Sequence, residues 1–227
     1  MTNVSSPRLQ MAAEVGLVLC AFFGTRFALR LLDISYSGPI GTVVALGAIY
    51  LLYRYRTGLF SPIGLRTHPG AGPAALSIVL TVAVTILLAT VILPYLKTLT
   101  GYVPSDAPGR FDYIKGNATA LVLSVVGIAW FAAAFGEEVL FRGFLMTRLA
   151  VLLGDSFTAR SVAVAGQALL FAMLHGSVLA NQLFAGLIAL AYGIIYFTLA
   201  KRSLWPLIVA HAIPDTISFI QMYAAQR

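Results

Sequence analysis

The amino-acid sequence predicts an all-α protein, a polytopic bundle of transmembrane helices, and two observations support that prediction. Hydrophobic residues make up 59% of the 227 positions and charged residues only 10%, whereas a soluble domain is about 45–50% apolar and about 25% charged. The apolar residues also fall in successive runs of about 18 or more, the length at which a helix crosses a bilayer. We therefore expect a single membrane domain over residues 1–227.

The first three spans are predicted over residues 11–32, 36–53 and 74–96. A Ser-Gly-Pro turn signal at 37–39 marks the start of the second apolar run, and a stretch rich in proline and glycine at 62–72 precedes the third. Each run between these breaks is long enough to form one membrane-crossing helix.

The last four spans are predicted over residues 118–141, 158–175, 178–200 and 203–223. Prolines and glycines at 104–109 precede them, and a Gly-Asp-Ser turn signal at 154–156 separates the first two of the four. The apolar pattern of the fourth span also continues to about Leu153 as a tilted or amphipathic helix. About seven spans are therefore expected, and an eighth element stays open as an alternative.

Lysine and arginine residues are unevenly distributed between the two ends of these spans. With the N-terminus in the cytoplasm, nine lie on the cytoplasmic side and four on the other, as the positive-inside rule requires. We expect a multi-pass protein of the cell membrane with a cytoplasmic N-terminus, and we assign the net charge of +7 to its loops rather than to nucleic-acid binding. The cytoplasmic set is Arg8, Arg54, Arg56, Arg66, Arg142, Arg148, Arg160, Lys201 and Arg202, and the opposite set is Lys97, Arg110, Lys115 and Arg227.

Two arginines, Arg26 and Arg30, lie in the second half of the first span. They are four residues apart and therefore share one face of a helix. Because long basic side chains can reach past an apolar surface, we expect that face to turn toward other helices or lipid headgroups. This assigns the pair a structural role.

A doublet of glutamates, Glu137 and Glu138, ends the fourth apolar run. Ionisable side chains inside a bilayer are costly, so they indicate function. Arg142 follows Glu138 by four residues, so the two share a helix face and should form an ion pair that keeps Glu138 ionised. Glu137 is offset by about 100° and can face a cavity, where a desolvated carboxylate is suited to accepting a proton from water.

Two of the three histidines also lie in apolar runs. Phe171 and His175 are four residues apart and share a helix face, as do His211 and Asp215. Pro214 lacks a backbone N–H and should kink the last helix beside His211, which is tolerated where the helix lines a polar cavity. A single histidine in an apolar helix is more often a core residue, but two in paired arrangements favour a site.

Three helices could thus deliver a carboxylate, two imidazoles and a further acid to one pocket. Those groups suit activation of a water molecule and stabilisation of a tetrahedral oxyanion. Two histidines with carboxylates could also hold zinc with an open coordination position. The chain has no His-Glu-x-x-His arrangement to place two ligands on one helix, so we favour a hydrolase without a metal or other cofactor.

The predicted boundaries conflict with this common pocket. Counted from Thr119, Glu137 lies about 27 Å along its helix, near the cytoplasmic edge, whereas His175 ends the next helix at the opposite edge. Either the fourth helix starts later and continues past Arg142, or the fifth starts nearer Ala165.

At these residues the sequence resembles the CPBP family, the CAAX protease and bacteriocin-processing membrane proteins related to the type II CAAX prenyl endopeptidase. Three family motifs occur in order within a family-like catalytic core of roughly residues 118–220. Glu-Glu-x-x-x-Arg is matched by Glu137, Glu138 and Arg142, Phe-x-x-x-His by Phe171 and His175, and His-x-x-x-Asn by His211 and Asp215. Asp215 is a departure, because the best-studied members carry asparagine there.

The resemblance implies an intramembrane endopeptidase that hydrolyses peptide bonds of membrane-associated peptides or proteins. It implies that Glu137 and His175 activate water and that His211 and Asp215 hold the oxyanion. Because an ionised aspartate cannot donate a hydrogen bond, Asp215 must be protonated or must orient His211. The implied partners are the lipid bilayer and a peptide substrate, either prenylated or a leader or propeptide.

Two other functions stay open. A non-catalytic immunity or scaffolding protein of the same family would keep its phenotype without Glu137 or His175. A proton-coupled transporter would use the same buried groups, although the chain lacks the internal repeat that pairs the halves of many transporters.

Overall fold

Each of the seven predicted spans forms one continuous helix in the computed structural model, which describes residues 7–56, 63–104 and 109–225. These residues contain no strand, which confirms the all-α fold class. The helices are α1 Pro7–Leu31, α2 Ser37–Arg56, α3 Ala71–Leu99, α4 Ala118–Leu152, α5 Phe157–Met173, α6 Leu179–Phe197 and α7 Trp205–Ala224.

Four of these helices, α1, α3, α4 and α6, are long and apolar enough to cross a membrane by length and composition. Large apolar side chains also face outward around the bundle, including Val79, Leu123 and Leu169, which are 62%, 69% and 66% exposed. Such surfaces suit hydrocarbon rather than water. The chain is therefore a multi-pass membrane protein, while seven complete crossings stay a prediction.

The fourth span does not end at residue 141. Helix α4 continues to Leu152 as a single element of 35 residues, so the chain beyond 141 extends the fourth span instead of forming a separate helix. Its hydrogen bonds follow the wider π pattern over Val125–Met146. The extension places Glu137 near the middle of α4, which removes the conflict of depth with His175.

Arg142 does not lie in a loop beyond the end of the fourth span, as its count among the cytoplasmic residues assumed. Every residue from Glu138 to Met146 is buried, so other helices surround this part of α4. Close approach of α2 contributes to that enclosure, since a Cβ atom at Gly136 would lie 2.5 Å from the Cγ2 atom of Thr42. The remaining basic residues of the cytoplasmic set still outnumber those opposite, and the cytoplasmic N-terminus stays a prediction.

Proline affects two of the helices. In α3 a short π segment, Leu88–Ile92, immediately precedes the turn that contains Pro94, because a proline ring crowds the preceding turn and supplies no N–H. In α7 Pro214 lies inside the helix, where it leaves the carbonyl of Ala210 without its helical donor.

An aspartate holds together two connections at one end of the bundle. Asp155, in the turn between α4 and α5, accepts hydrogen bonds from Arg160 Nε at 2.9 Å and from Arg202 Nη2 at 2.8 Å. Arg202 belongs to the connection between α6 and α7, so the carboxylate joins distant parts of the chain. The Arg160 guanidinium, followed by that of Arg202, holds the pKa of Asp155 below its ordinary value.

Replacement of Asp155 by asparagine is expected to destabilise the protein at neutral pH by about 1 kcal/mol, because each ion pair between partly exposed groups contributes about 0.2–1 kcal/mol. A lowered carboxyl pKa contributes stability above pH about 4 that is lost as the pH falls through the lowered value. Thermal unfolding of both proteins at pH 7 and pH 3 should therefore show a smaller difference at pH 3 than at pH 7. An equal difference at pH 3 would contradict this explanation. Asparagine also tolerates the positive φ of 50° at this position.

Candidate active site

Glu138 is the centre of a buried polar network. Its Oε1 atom accepts a hydrogen bond from Arg142 Nη1 at 3.0 Å and another from His211 Nδ1 at 2.9 Å. The side chains of Glu138 and Arg142 are both 0% exposed. The predicted ion pair between Glu138 and Arg142 is therefore present. The hydrogen bond between Glu138 and His211 joins α4 to α7, and the sequence did not predict this contact.

Two aromatic rings enclose the guanidinium of Arg142. Its Cζ atom lies 4.9 Å from the ring centroid of Phe171 and 5.1 Å from that of Tyr192. A desolvated cation over an aromatic face gains about 2 kcal/mol, which offsets part of the cost of burial. The Tyr192 hydroxyl forms a 3.2 Å hydrogen bond with Thr85 Oγ1, so the network extends from α4 through α6 to α3.

Tyr192 was not predicted as a site residue. It lies within an apolar helix that also contains Tyr196 and Phe197, and neither its spacing nor its chemistry distinguishes it from a core aromatic. Its contact with Arg142 arises only when α6 packs beside α4.

His211 lies between two carboxylates. While its Nδ1 atom donates to Glu138, its Nε2 atom lies 3.6 Å from Asp215 Oδ2, which is beyond a hydrogen bond. The structure thus brings His211 and Asp215 together on one face of α7, as their spacing predicted. The Asp215 side chain is 33% exposed and that of His211 only 13%.

His175 lies just beyond the end of α5, which stops at Met173 rather than at the predicted residue 175. Its Nδ1–H donates to the backbone carbonyl of Phe171 at 2.7 Å, a carbonyl that also accepts from the Leu174 backbone N–H at 3.2 Å. The rings of Phe171 and His175 also lie 4.3 Å apart. With Nδ1 protonated, Nε2 carries the lone pair and can accept a proton or hold a water molecule.

Glu137 and His175 line the same cavity, which has a volume of about 590 Å³. Aromatic side chains form much of its wall, including Phe22, Phe141 and Phe171. The cavity opens within the half of the bundle where α1, α3 and α5 end and where α2, α4 and α6 begin. Two residues predicted to act on one water molecule are therefore on a common surface.

His211 and Asp215 are not among the residues that line this cavity. They lie beside it, close enough for electrostatic interaction with Glu137. The site thus has two adjoining parts: the cavity with Glu137 and His175, and the buried network of Glu138, His211 and Asp215. The two neighbouring residues of the glutamate doublet connect the parts.

Two arginines of the cavity wall, Arg26 and Arg110, had been assigned other roles. Arg26 was expected to contact helices or headgroups, and Arg110 was counted only for orientation. Arg26 does contact another helix end, since its Nη2 atom donates to the carbonyl of Leu174 at 3.3 Å, but its side chain also lines the cavity. The charge of Arg26 within an apolar span was the available sequence signal.

Within the ranges that the structure describes, no three histidine, cysteine, aspartate or glutamate side chains form a group that could hold a metal ion. His211 contacts Glu138 and lies within ion-pair distance of Asp215. In the described residues, no other acid lies within that distance of His211. Metal-free chemistry stays a prediction, and the assay described below tests it with a chelator.

The fold and this site define a multi-pass helical membrane protein with carboxylates and imidazoles gathered in its interior. Residues 119–217 match a family model described as Rce1-like, type II CAAX prenyl endopeptidase Rce1-like. This match supports membership of the CAAX protease family, which the three motifs predicted. Membership supports a CAAX-type intramembrane protease function. No curated protein and no solved structure matches the chain.

Proposed function

We propose that the protein is an intramembrane endopeptidase in which Glu137 and His175 activate the attacking water. The observation that carries this proposal is their position on one cavity of about 590 Å³, large enough to admit part of a peptide. Glu138 is not assigned this role, because it is fully buried, bonds Arg142 and His211 through its Oε1 atom and is not among the residues that line this cavity.

In the proposed reaction, water is held between the Glu137 carboxylate and the Nε2 lone pair of His175. Glu137 accepts a proton from the water while the water oxygen bonds to the carbonyl carbon of the substrate. The carbonyl electrons move to oxygen and form a tetrahedral oxyanion. The C–N bond then breaks, its electron pair stays on nitrogen, and the proton held by Glu137 passes to the leaving amine.

His211 is the proposed donor to the oxyanion. As an imidazolium it donates from both nitrogens: Nδ1–H to Glu138, and Nε2–H toward the substrate. Glu138 supplies a fixed counter-charge at 2.9 Å, and Arg142 in turn holds Glu138. In this arrangement Asp215 adds negative charge beside Nε2 and orients the ring.

The substrate class is proposed from the family description, which names a prenyl endopeptidase. The test uses wild-type protein in lipid nanodiscs and an internally quenched peptide that ends in cysteine, two aliphatic residues and a serine, in S-farnesylated and unmodified forms. Mass spectrometry of the products identifies the bond that is cut. Cleavage that persists in the presence of a chelator supports metal-free hydrolysis. Cleavage that is lost in the chelator and recovered when zinc is added would overturn it. Absence of cleavage of both peptides would favour a non-catalytic immunity or scaffolding role.

Replacement of Asp215 by asparagine is expected to preserve cleavage, and replacement by alanine to reduce it about tenfold or more. An asparagine amide can still contact His211 and can also donate to the oxyanion directly, whereas alanine can do neither. The measurement is kcat for the three proteins on the same peptide. If asparagine abolishes cleavage and alanine preserves it, neither oxyanion binding nor orientation of His211 describes this position.

A further inference from the structure

Two guanidinium groups enter the wall of the catalytic cavity from outside the segment that matches the family. Arg26 comes from α1, and Arg110 from the connection before α4; both line the cavity with Glu137 and His175. The matched segment begins only at residue 119. The N-terminal helices and this loop therefore contribute charge to a site whose motifs lie elsewhere.

Arg26 reaches the cavity because α2 leaves room for its side chain. A Cβ atom at Gly41 would lie 2.7 Å from Arg26 Cγ, and one at Gly38 would lie 3.6 Å from Arg26 Nη1. The guanidinium stacks 5.2 Å from the ring centroid of Phe22 and uses Nη2 to donate to Leu174. Since arginine carries five N–H donors, most of its donor capacity remains for a ligand.

Arg110 approaches the same cavity from the loop. Its guanidinium lies 5.4 Å from the ring centroids of both Tyr36 and Phe111, and these rings hold its plane without occupying its N–H groups. In the described part of the chain, neither Arg26 nor Arg110 forms an ion pair with a carboxylate. Arg142 and Arg148 of α4 differ, because each pairs with a glutamate.

Arg26 is partly buried and Arg110 is exposed at the cavity wall. Glu137 acts on Arg26 across the cavity, but in the described residues no carboxylate lies at ion-pair distance from either guanidinium, so both can bind an anionic ligand. Arginine binds carboxylates in a bidentate manner, and such bonds are among the strongest that polar side chains form. The substrate of a peptidase brings carboxylates of its own, at its C-terminus or on acidic side chains. We propose that Arg26 and Arg110 bind a carboxylate of the peptide substrate and so determine which peptides enter the cavity.

This assignment rests on the proposed peptidase function, because it gives that substrate its anchor. A different role for Arg26 would be purely structural: its bond to Leu174 neutralises a carbonyl at the end of α5, where basic side chains are favourable. The two roles predict different results. A structural arginine affects all peptides equally, whereas a carboxylate-binding arginine affects only peptides that carry the carboxylate.

The test compares three versions of the farnesylated quenched peptide: the free C-terminal acid, the C-terminal amide, and the amide with one aspartate in the departing segment. Wild-type protein should cleave at least one carboxylate peptide with a kcat/KM about tenfold above that of the plain amide, since a hydrogen bond to a charged group is worth about that factor. A preference for the acid identifies the terminal carboxylate, and a preference for the aspartate peptide identifies a side chain.

Arg26→Gln and Arg110→Gln should each reduce this preference toward unity, because each removes a guanidinium that only the carboxylate peptides can use. Arg30→Gln and Lys115→Gln are the matched controls, because Arg30 is one turn from Arg26 on α1 and Lys115 pairs with Asp112 in the same loop; both should keep the wild-type preference. Equal cleavage of all three peptides by wild-type protein overturns the assignment. An equal loss on all three in the arginine variants also overturns it and leaves Arg26 as a cap of α5.

A binding measurement separates this assignment from the peptidase function. Fluorescence anisotropy of the three peptides, labelled and bound to the Glu137→Gln protein, should show the same preference for a carboxylate and the same dependence on Arg26 and Arg110. Preferential binding with no cleavage by wild-type protein would refute the peptidase proposal alone. Cleavage by wild-type protein without any binding preference would refute the carboxylate assignment alone.

Discussion

Replacement of Glu137 by glutamine is expected to reduce kcat for peptide cleavage by about 10²–10⁴, the contribution of one positioned acid–base group. Glutamine has nearly the shape of glutamate but cannot accept the proton of the attacking water. Glu137 is only half-buried and lines an open cavity, so its amide should not disturb the fold. The measurement is kcat on the quenched peptide, with the thermal midpoint recorded in parallel.

The matched control is Asp33→Asn, which makes the same change of carboxylate to amide in an exposed turn between α1 and α2. Asp33 has a φ of 53°, and asparagine adopts that conformation readily. The control should cleave at the wild-type rate. If Glu137→Gln cleaves as fast as Asp33→Asn, water activation by Glu137 is wrong and the family assignment for this chain covers fold alone.

Local geometry could be predicted from the sequence because it depends on helix periodicity alone. The spacing of Glu138 and Arg142 placed both on one helix face, and their ion pair is present. The same reasoning placed His211 beside Asp215. The same reasoning placed Glu137 and Glu138 on different faces of the helix. Glu137 lines the cavity, and Glu138 is not among the residues that line it.

The contacts between helices could not be predicted in this way. Glu138 and His211 are 73 residues apart, and their hydrogen bond depends on how α4 and α7 pack. The enclosure of Arg142 by Phe171 and Tyr192 needs three helices in place at once. Helix ends also depend on the surroundings: α4 continues past residue 141 because its charged side chains find partners inside the bundle.

A buried ion pair also explains why the sequence misplaced Arg142. Hydropathy treats an arginine after an apolar run as the end of a span. Here Glu138 and two aromatic rings compensate the charge of Arg142, so the helix can carry it through the interior. An acidic residue followed four positions later by a basic one is the sequence feature that indicates an arginine inside a span.

Replacement of Arg142 by methionine is expected to lower the free energy of unfolding by about 3–5 kcal/mol, the usual cost of removing one partner of a buried ion pair. The loss leaves Glu138 buried with His211 as its only partner in the described residues. Methionine has similar length and fills the space between Phe171 and Tyr192, so the change tests charge more than volume. Chemical unfolding in mixed micelles measures the difference.

The double variant Glu138→Met and Arg142→Met separates stability from catalysis. Removing both charges should recover most of the lost free energy, because replacement of a whole buried pair by apolar side chains is often neutral. It should not recover cleavage, since His211 then lacks the carboxylate that balances its imidazolium. Recovery of both properties would show that the network serves the fold alone.

Arg148→Met is the matched control for this cycle. Arg148 also pairs with a glutamate, Glu14, at 3.1 Å, and also contacts two aromatic rings, but its side chain is 19% exposed where that of Arg142 is 0% exposed. This pair is less completely buried, so its loss should cost less than the about 3–5 kcal/mol expected for Arg142 and should leave kcat unchanged. A loss of stability as large as that of Arg142→Met, or a loss of cleavage, would mean that burial of the pair does not set its effect. Comparison of the effects of Arg142→Met and Arg148→Met on stability and on kcat therefore tests whether the buried charge of Arg142 is needed for the reaction.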